Sequence, residues 1–144
     1  MKISNMFKAK FTFSVLFCLM VCQSAYAGVA VIVNPDSPIS TADKAEIRSV
    51  YLNKSKKIAG QTVKPVLNSN DEVKKKFLKS VVRKNPRAFK SYWTRLIFSG
   101  KASPLKSAGD DSGVKQWISS HTDGVGFISS ESVDESVKVI ITLE

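Results

Sequence analysis

The chain has 144 residues, of which 22 are Lys or Arg and 12 are Asp or Glu, so its formal net charge is +10. This length suits one small domain with a modest core rather than several domains. The charge is unevenly divided, because residues 44–106 hold 17 basic and 3 acidic residues, whereas residues 110–144 hold 2 basic and 7 acidic ones. Such a division predicts either an electrostatic match between the two halves or a molecule with a basic face.

The first 27 residues predict a signal peptide. Lysines precede an apolar run at residues 11–21, and Ala25 and Ala27 provide small side chains at the minus-three and minus-one positions of a cleavage site. The apolar run is shorter than the roughly 20 residues that a membrane-spanning helix needs. We therefore predict cleavage after Ala27, a folded domain over residues 28–144 and a periplasmic or secreted location.

Both cysteines, Cys18 and Cys22, lie in the predicted signal peptide. Cleavage would leave a domain without a disulfide, a thiol nucleophile or a cysteine metal ligand. A single histidine cannot supply a conventional zinc site either, so we expect no metal and no cofactor. An alternative interpretation is a lipoprotein signal with Cys22 lipidated, in which bulky Val21 stands where a small residue is preferred.

The domain begins with an apolar run at residues 28–34, which is typical of a central strand covered on both faces. Residues 40–43 resemble a capping box with Asp43 in the acidic position. They predict the start of a helix whose buried face carries Ile47, Val50 and Tyr51.

The segment from residue 63 to residue 83 predicts a strand, a polar turn and a lysine-rich helix. Residues 63–67 form the strand, and the turn provides good N-cap side chains. A strand that leads into a helix N-terminus can bind an anion through backbone N–H groups, which makes residues of this turn candidate oxyanion ligands. These candidates are Asn68, Ser69, Asn70 and Asp71. An ordinary capped helix remains the alternative, because Asp71 and Glu72 themselves interact with the helix dipole.

Helical periodicity separates this helix into an apolar face and a basic face. The apolar face contains Val73, Phe77, Leu78, Val81 and Val82. The basic face contains Lys75, Lys76, Lys79 and Arg83. The second set is a candidate docking surface, although a cationic helix face often serves only solubility.

A second helix is predicted from Asn85-Pro86, a cap followed by proline in the first helical position, to a stop at Gly100. Its apolar side chains recur at helical spacing, so we expect them in the core rather than on a base-stacking platform. They are Phe89, Tyr92, Trp93, Leu96, Ile97 and Phe98.

The remaining residues predict a polar loop at residues 101–112, a short helix capped by Asp110 and Asp111, and two strands. Gly126 lies in the first strand and indicates close backbone approach or a bulge. The nearly apolar residues 137–143 predict a last central strand. Alternation of strands and helices favours an α/β domain.

Nothing in the chain requires an enzyme. His121 is the only histidine, it precedes a turn, and no strained nucleophile elbow accompanies it. Asp110 and Asp111 are adjacent, which suits a helix cap better than a paired acid and base. We predict no catalytic residue.

Several segments carry a family resemblance that extends over residues 28–144. They are the strand ending in Asn34-Pro35, the helix ending in Tyr51-Leu52, the strand at residues 63–67, the helix with Phe77, the Tyr92-Trp93 pair, Phe98-Ser99-Gly100 and Gly124-Val125-Gly126-Phe127-Ile128. In this order they resemble the phosphate-type periplasmic solute-binding proteins of ABC transporters. The similarity is stronger to short secreted members of that superfamily.

The resemblance implies a type II periplasmic-binding fold, in which two α/β lobes close on an oxyanion held by helix N-termini. It implies that this chain is a single lobe with a mixed sheet flanked by helices, with residues 29–34 and 137–143 as hinge strands. By position, Asp71 would accept a hydrogen bond from protonated phosphate. The family's arginine and Ser-Gly-Thr sequence are absent from residues 67–73, and the facing lobe is missing.

The leading hypothesis is a secreted, non-enzymatic solute-binding-like protein whose ligand is phosphate or another small oxyanion, working with an ABC transporter permease or an envelope protein. The alternative is a ligand-free module that docks an acidic envelope partner or anionic lipid through its basic helix face. Membrane contact would then be peripheral. Specific nucleic-acid binding is not expected, because export separates the protein from most nucleic acid.

Overall fold

The computed structural model describes residues 28–144. The predicted signal peptide over residues 1–27, and the alternative lipidation of Cys22, lie outside the described residues and stay predictions. Within the described range, no helix combines the length and the apolar character that crossing a bilayer requires.

The strands form one five-stranded mixed sheet and one two-stranded hairpin. They are β1 (Val29–Val33), β2 (Lys57–Ile58), β3 (Gln61–Thr62), β4 (Lys64–Leu67), β5 (Lys106–Ser107), β6 (Gly124–Ser129) and β7 (Lys138–Leu143). The large sheet has the order β5-β4-β6-β1-β7, and β2 pairs with β3. β4 is parallel to β5 and to β6, whereas β1 is antiparallel to β6 and to β7.

Four α-helices flank the large sheet. They are α1 (Lys44–Tyr51), α2 (Asp71–Phe77), α3 (Pro86–Phe98) and α4 (Asp111–Ser119). A π-helical turn, Leu78–Val82, continues α2. A short 3₁₀ turn, Ser130–Ser132, follows β6. The predicted α/β architecture, a mixed sheet with helices around it, is confirmed.

The core lies on both faces of the sheet. β1 is buried along its whole length, and its side chains alternate between the two faces, as strand geometry requires. Val31 packs in the larger cluster, together with side chains of α1, α2 and α3. Ile32 packs in the smaller cluster, together with Val114 and Ile118 of α4. The predicted central position of this strand is therefore confirmed.

Three aromatic side chains join helices to the sheet inside the larger cluster. Phe77 stacks on Phe127 with ring centroids 3.9 Å apart, and Tyr51 meets Phe77 edge to face at 4.8 Å. The Tyr51 hydroxyl donates to the Val66 carbonyl at 2.9 Å. Burial raises the pKa of the Tyr51 phenol, so this group stays a neutral donor.

Three of the helices begin with a side-chain N-cap at the positions that the sequence predicts. Asn70 accepts hydrogen bonds from the amides of Glu72 and Val73, and Asn85 accepts one from Ala88. Asp110 accepts one from the amide of Gly113 at the start of α4. These bonds satisfy amides that lack partners in the first helical turn.

Three expectations about individual elements were wrong. α1 begins later than expected, because Asp43 is its N-cap and forms a capping box with Glu46. β7 is an edge strand with mixed burial rather than a central strand, since β1 is its one partner among the strands of residues 28–144. Phe98 is 87% exposed at the last residue of α3, so it does not belong to the core.

Candidate functional site

The parallel strands β4, β5 and β6 end side by side at one edge of the sheet. In open α/β sheets, ligands bind outside these carboxyl ends. The carboxylate of Asp111 occupies this place here. Asp111 Oδ1 accepts from Asn68 Nδ2 at 2.6 Å, and its Oδ2 accepts from the Ser129 amide at 3.2 Å and the Ser132 hydroxyl at 2.6 Å. We call these four residues the Asp111 cluster.

Asn68 holds the Asp111 cluster to the sheet. This side chain has no exposed surface, and its amide nitrogen also donates to the Phe127 carbonyl at 3.1 Å. Its side-chain oxygen accepts from the Asn70 amide at 2.8 Å. Asn68 is therefore saturated by partners within the protein, which leaves it little capacity to bind a ligand.

The other predicted oxyanion ligands are likewise engaged by the protein. The Ser69 amide donates to the Gly109 carbonyl at 2.8 Å, and the Asn70 side chain caps α2. The Asp71 carboxylate lies 3.3 Å from Lys74 Nζ. The structure thus brings all four predicted residues to the carboxyl edge, where Asn68 is buried and Ser69, Asn70 and Asp71 are exposed. Their role as oxyanion ligands stays a prediction.

Negative charge is concentrated at the same edge. Asp71 and Glu72 lie in the first turn of α2, Asp110 caps α4, and Asp111 opens α4. These carboxylates complement the positive ends of the two helix dipoles. They also oppose the approach of a free oxyanion, because like charges repel strongly when water is partly excluded.

A second feature, which we call the lysine groove, lies beside the opposite ends of the same strands. It has a volume of about 1130 Å³. Five lysines line it, all exposed, and no carboxylate is among the described residues that line it. The lysines are Lys54, Lys56, Lys64, Lys101 and Lys106. Apolar side chains that include Pro104, Leu105 and Trp117 form the rest of its wall.

The residues of the predicted docking surface are accessible. Lys75, Lys76 and Lys79, together with Arg83, are all exposed on α2 and the turn that follows it. We call this set the α2 basic face. Arg83 closes the π-helical turn in a left-handed conformation, with φ of 59°. A docking role for this face stays a prediction.

A smaller cleft of about 370 Å³ separates α2 from α3. Lys74 of α2 and Lys90 of α3 lie at this cleft, and Ile97 lines it near the end of α3. Phe98 follows Ile97 and points to solvent. Ile97 and the two lysines therefore line the same cleft.

His121, just before the turn that leads into β6, is half-buried. Its ring stacks on Trp117 at 4.0 Å, and Nδ1 lies 2.8 Å from the Trp117 carbonyl. Within residues 28–144, no group of three or more His, Cys, Asp or Glu side chains has a geometry that could hold a metal ion.

Sequence reasoning missed two parts of this surface. It assigned Asp111 to a helix cap, whereas Asp110 is the cap and Asp111 contacts residues 43 and 21 positions away. It noted the basic loop at residues 54–60 but not the lysine groove, whose five lysines come from three separate segments of the chain. The surplus of basic residues over residues 44–106 was the available signal.

The two charged halves of the chain meet in the sheet, where β4 of the basic half pairs with β6 of the acidic half. Lys64 of the basic half also pairs with Asp123 of the acidic half at 3.0 Å. The Lys115–Asp134 pair lies within the acidic half. Asp123 therefore offsets one of the five lysines near the amino ends of the parallel strands.

Comparison with known proteins shows similarity in structure only. No family model and no curated protein sequence matches the chain. A protein from Clostridium perfringens assigned as a phosphate ABC transporter substrate-binding protein, in a structure with bound phosphate, matches with a TM-score of 0.60 and 16% identity. The match covers 79% of this chain and 44% of that chain.

Two further structures match over the same share of this chain. An ABC-type phosphate transport receptor from Vibrio cholerae has a TM-score of 0.52 and 20% identity, with 45% of its length covered. A possible phosphate-binding protein from Planctomyces limnophilus has a TM-score of 0.52 and 12% identity, with 40% covered. The chain thus spans less than half of the length of each, and residues 28–144 have a mixed α/β fold similar to that of these structures.

Proposed function

We propose that this protein is a non-enzymatic, exported docking module, built on one lobe of the solute-binding fold, that associates peripherally with the anionic surface of the cell envelope. The α2 basic face makes the contact. The observation that carries the proposal is the Asp111 cluster, since a carboxylate of the protein fills the edge where this class of fold binds its ligand.

The composition of the α2–α3 side supports a lipid surface as the partner. Each Lys or Arg near an anionic membrane contributes about 1 kcal/mol, so the α2 basic face would contribute on the order of 4 kcal/mol. Exposed Phe98 adds an aromatic side chain of the kind that favours the membrane interface. Such binding is weak, reversible and sensitive to salt.

The features of residues 1–27 support the envelope location, because they predict export. The structural neighbours are named as ABC transporter substrate-binding proteins, which also suits a protein that works beside an envelope transporter. An ABC transporter permease or another envelope protein is therefore the expected companion at the membrane.

Co-sedimentation with phosphatidylglycerol-rich vesicles tests this proposal. We expect the purified protein to bind at low salt and to be released by roughly 0.5 M NaCl. The triple variant Lys75→Gln, Lys79→Gln and Arg83→Gln should bind at least about tenfold more weakly. The matched control is Lys54→Gln, Lys56→Gln and Lys101→Gln, which removes the same charge from the lysine groove. Equal losses in the two variants would refute a role for the α2 basic face.

Phosphate binding at Asn68, Ser69, Asn70 and Asp71 is the second candidate function. Similarity to a structure with bound phosphate favours it. Isothermal titration of the native protein with phosphate separates the candidates, because docking predicts no heat at millimolar phosphate. The variant Asp111→Asn removes one negative charge from the carboxyl edge. Phosphate binding by this variant alone would identify the Asp111 carboxylate as the block, whereas binding by the native protein would favour the second candidate.

A further inference from the structure

We propose that the lysine groove binds a short, extended segment of acidic polypeptide that also carries apolar side chains. This site lies at the amino ends of the parallel strands, away from the Asp111 cluster. Its residues differ from those of the α2 basic face. The inference therefore goes beyond the proposed association with the envelope surface and does not depend on it.

The positive charge of the groove favours an anionic ligand. Of its five lysines, Lys64 has a carboxylate partner, because its ammonium lies 3.0 Å from Asp123. Lys106 Nζ lies 5.9 Å from the centroid of the Trp117 ring, which is a cation–π distance. Cations that converge on one concave surface raise the local potential and attract an anionic ligand more than dispersed cations do.

The size and the apolar wall favour a polypeptide over a small anion. The volume of about 1130 Å³ exceeds the usual range of roughly 300–1000 Å³ for small-molecule pockets. Leu105 is half-buried and Pro104 is exposed, so both offer apolar surface to a ligand. A polyanion without apolar groups, such as polyphosphate, would leave this surface in contact with water.

Sheet geometry keeps the groove open. β5 pairs with β4 at Val66 and Leu67, which leaves the first half of β4 without a strand on that side. Pro65 in this half has no amide hydrogen, so an added strand could not form a regular ladder there. Recognition should therefore rely on side chains: carboxylates on the lysines and apolar groups on the wall.

The Trp117 side chain lines the groove. Trp117 also covers Gly124, where a Cβ atom would lie 2.5 Å from Trp117 Cζ3. The tryptophan is thus fixed against the start of β6 and forms a firm end to the groove.

Fluorescence anisotropy with two labelled peptides tests the inference. One alternates glutamate with leucine, and the other alternates glutamate with serine at the same length and charge. We expect the leucine peptide to bind at least about tenfold more tightly. Lys54→Gln, Lys56→Gln and Lys101→Gln together should weaken it by roughly tenfold, since each exposed pair contributes modestly. Lys75→Gln, Lys79→Gln and Arg83→Gln should leave it within about twofold.

Three results would overturn the inference. Equal weakening by the two triple variants would show binding to net charge rather than to the groove. Equal affinity for the two peptides would exclude a contribution of the apolar wall to binding. In competition, polyphosphate could bind more tightly than the leucine peptide. That result would show that the groove binds polyanions in general. None of these results alters the vesicle assay, so failure here is distinguishable from failure of the proposed envelope association.

Discussion

The two ends of the parallel strands differ in how their charged side chains are balanced. At the carboxyl ends, Asn68, Ser129 and Ser132 surround the Asp111 carboxylate, and each donor has an internal acceptor. At the amino ends, five exposed lysines line a groove that contains no carboxylate among its described residues. The edge that would ordinarily take a ligand is satisfied by the protein, and the opposite edge is left with unbalanced charge.

This contrast places a carboxylate of the protein at the edge where open α/β sheets ordinarily bind a ligand. Three donors to one carboxylate are charge-assisted hydrogen bonds, which are stronger than neutral ones. An internal anion needs no second lobe to exclude water from it. The first consequence is that the Asp111 cluster should contribute strongly to stability, and the lysine groove should not.

The largest expected effect comes from Asn68→Ala. Asn68 has no exposed surface, and this change removes one of the three donors to the Asp111 carboxylate together with the side-chain partners of the Phe127 carbonyl and the Asn70 amide. We expect the free energy of unfolding to fall by about 3 kcal/mol, since buried groups left unpaired are costly. Urea titration followed by circular dichroism measures it.

Asn70→Ala is the matched control. It removes an N-cap from α2 at an exposed position and should cost about 1 kcal/mol. If the two variants lost similar stability, the carboxyl edge would be no more than an ordinary helix start. The proposed difference between the two edges would then fail at its first step.

A smaller effect is expected from Gly124→Ala at the amino edge. The new Cβ would lie 2.5 Å from Trp117 Cζ3 and 3.1 Å from Ile118 Cδ1, so the indole must move. We expect a loss of about 2 kcal/mol, a change in tryptophan fluorescence and weaker binding of the leucine peptide.

Gly126→Ala provides the comparison, because its Cβ would meet Val114 and Val66 rather than Trp117. It should destabilise the protein to a similar degree and leave the fluorescence of Trp117 nearly unchanged. A shift of equal size in both variants would mean that the fluorescence reports general loosening. The geometry of the lysine groove would then need another measurement.

Local signals in the sequence predicted much of this fold. The apolar run of β1 marked a doubly covered strand, and Asn70, Asn85 and Asp110 marked helix starts through their own hydrogen bonds. Gly126 marked close packing, which Val114 and Val66 provide. Each of these features depends on neighbouring residues or on one strongly constrained position.

Features that depend on distant parts of the chain were not predictable in this way. The apolar composition of β7 suggested a central strand, but its edge position follows from the order of the sheet. Phe98 is an exception, because it lies nine residues after buried Phe89, which at about 100° per residue places it on the opposite side of α3, where it is exposed. The helical period itself therefore indicates this exposure. The Asp111 cluster unites residues at the ends of β4 and β6 with the first residue of α4, which no spacing along the chain reveals.

The smallest expected effect concerns the acidic half alone. The hydrogen bond from Lys115 to Asp134, followed by those from Ser136, lowers the pKa of Asp134 from 3.8 to about 2. Because the pKa is lower in the folded protein, this group stabilises the fold above about pH 4 and loses that contribution as the pH falls through about 2. Asp134→Asn should therefore reduce the change of the melting temperature with pH over this interval. It should also lower the melting temperature slightly at neutral pH.

Melting curves recorded between about pH 2 and about pH 7 test this expectation. Glu46→Gln is a useful companion, since backbone hydrogen bonds from Asp43 and Ala59 lower the pKa of Glu46 within the basic half. If Asp134→Asn kept the full acid dependence of the native protein, the Lys115–Asp134 pair would not hold in solution. The acidic half would then carry a more mobile charge, and the separation of charge between the two edges would be less sharp than the geometry indicates.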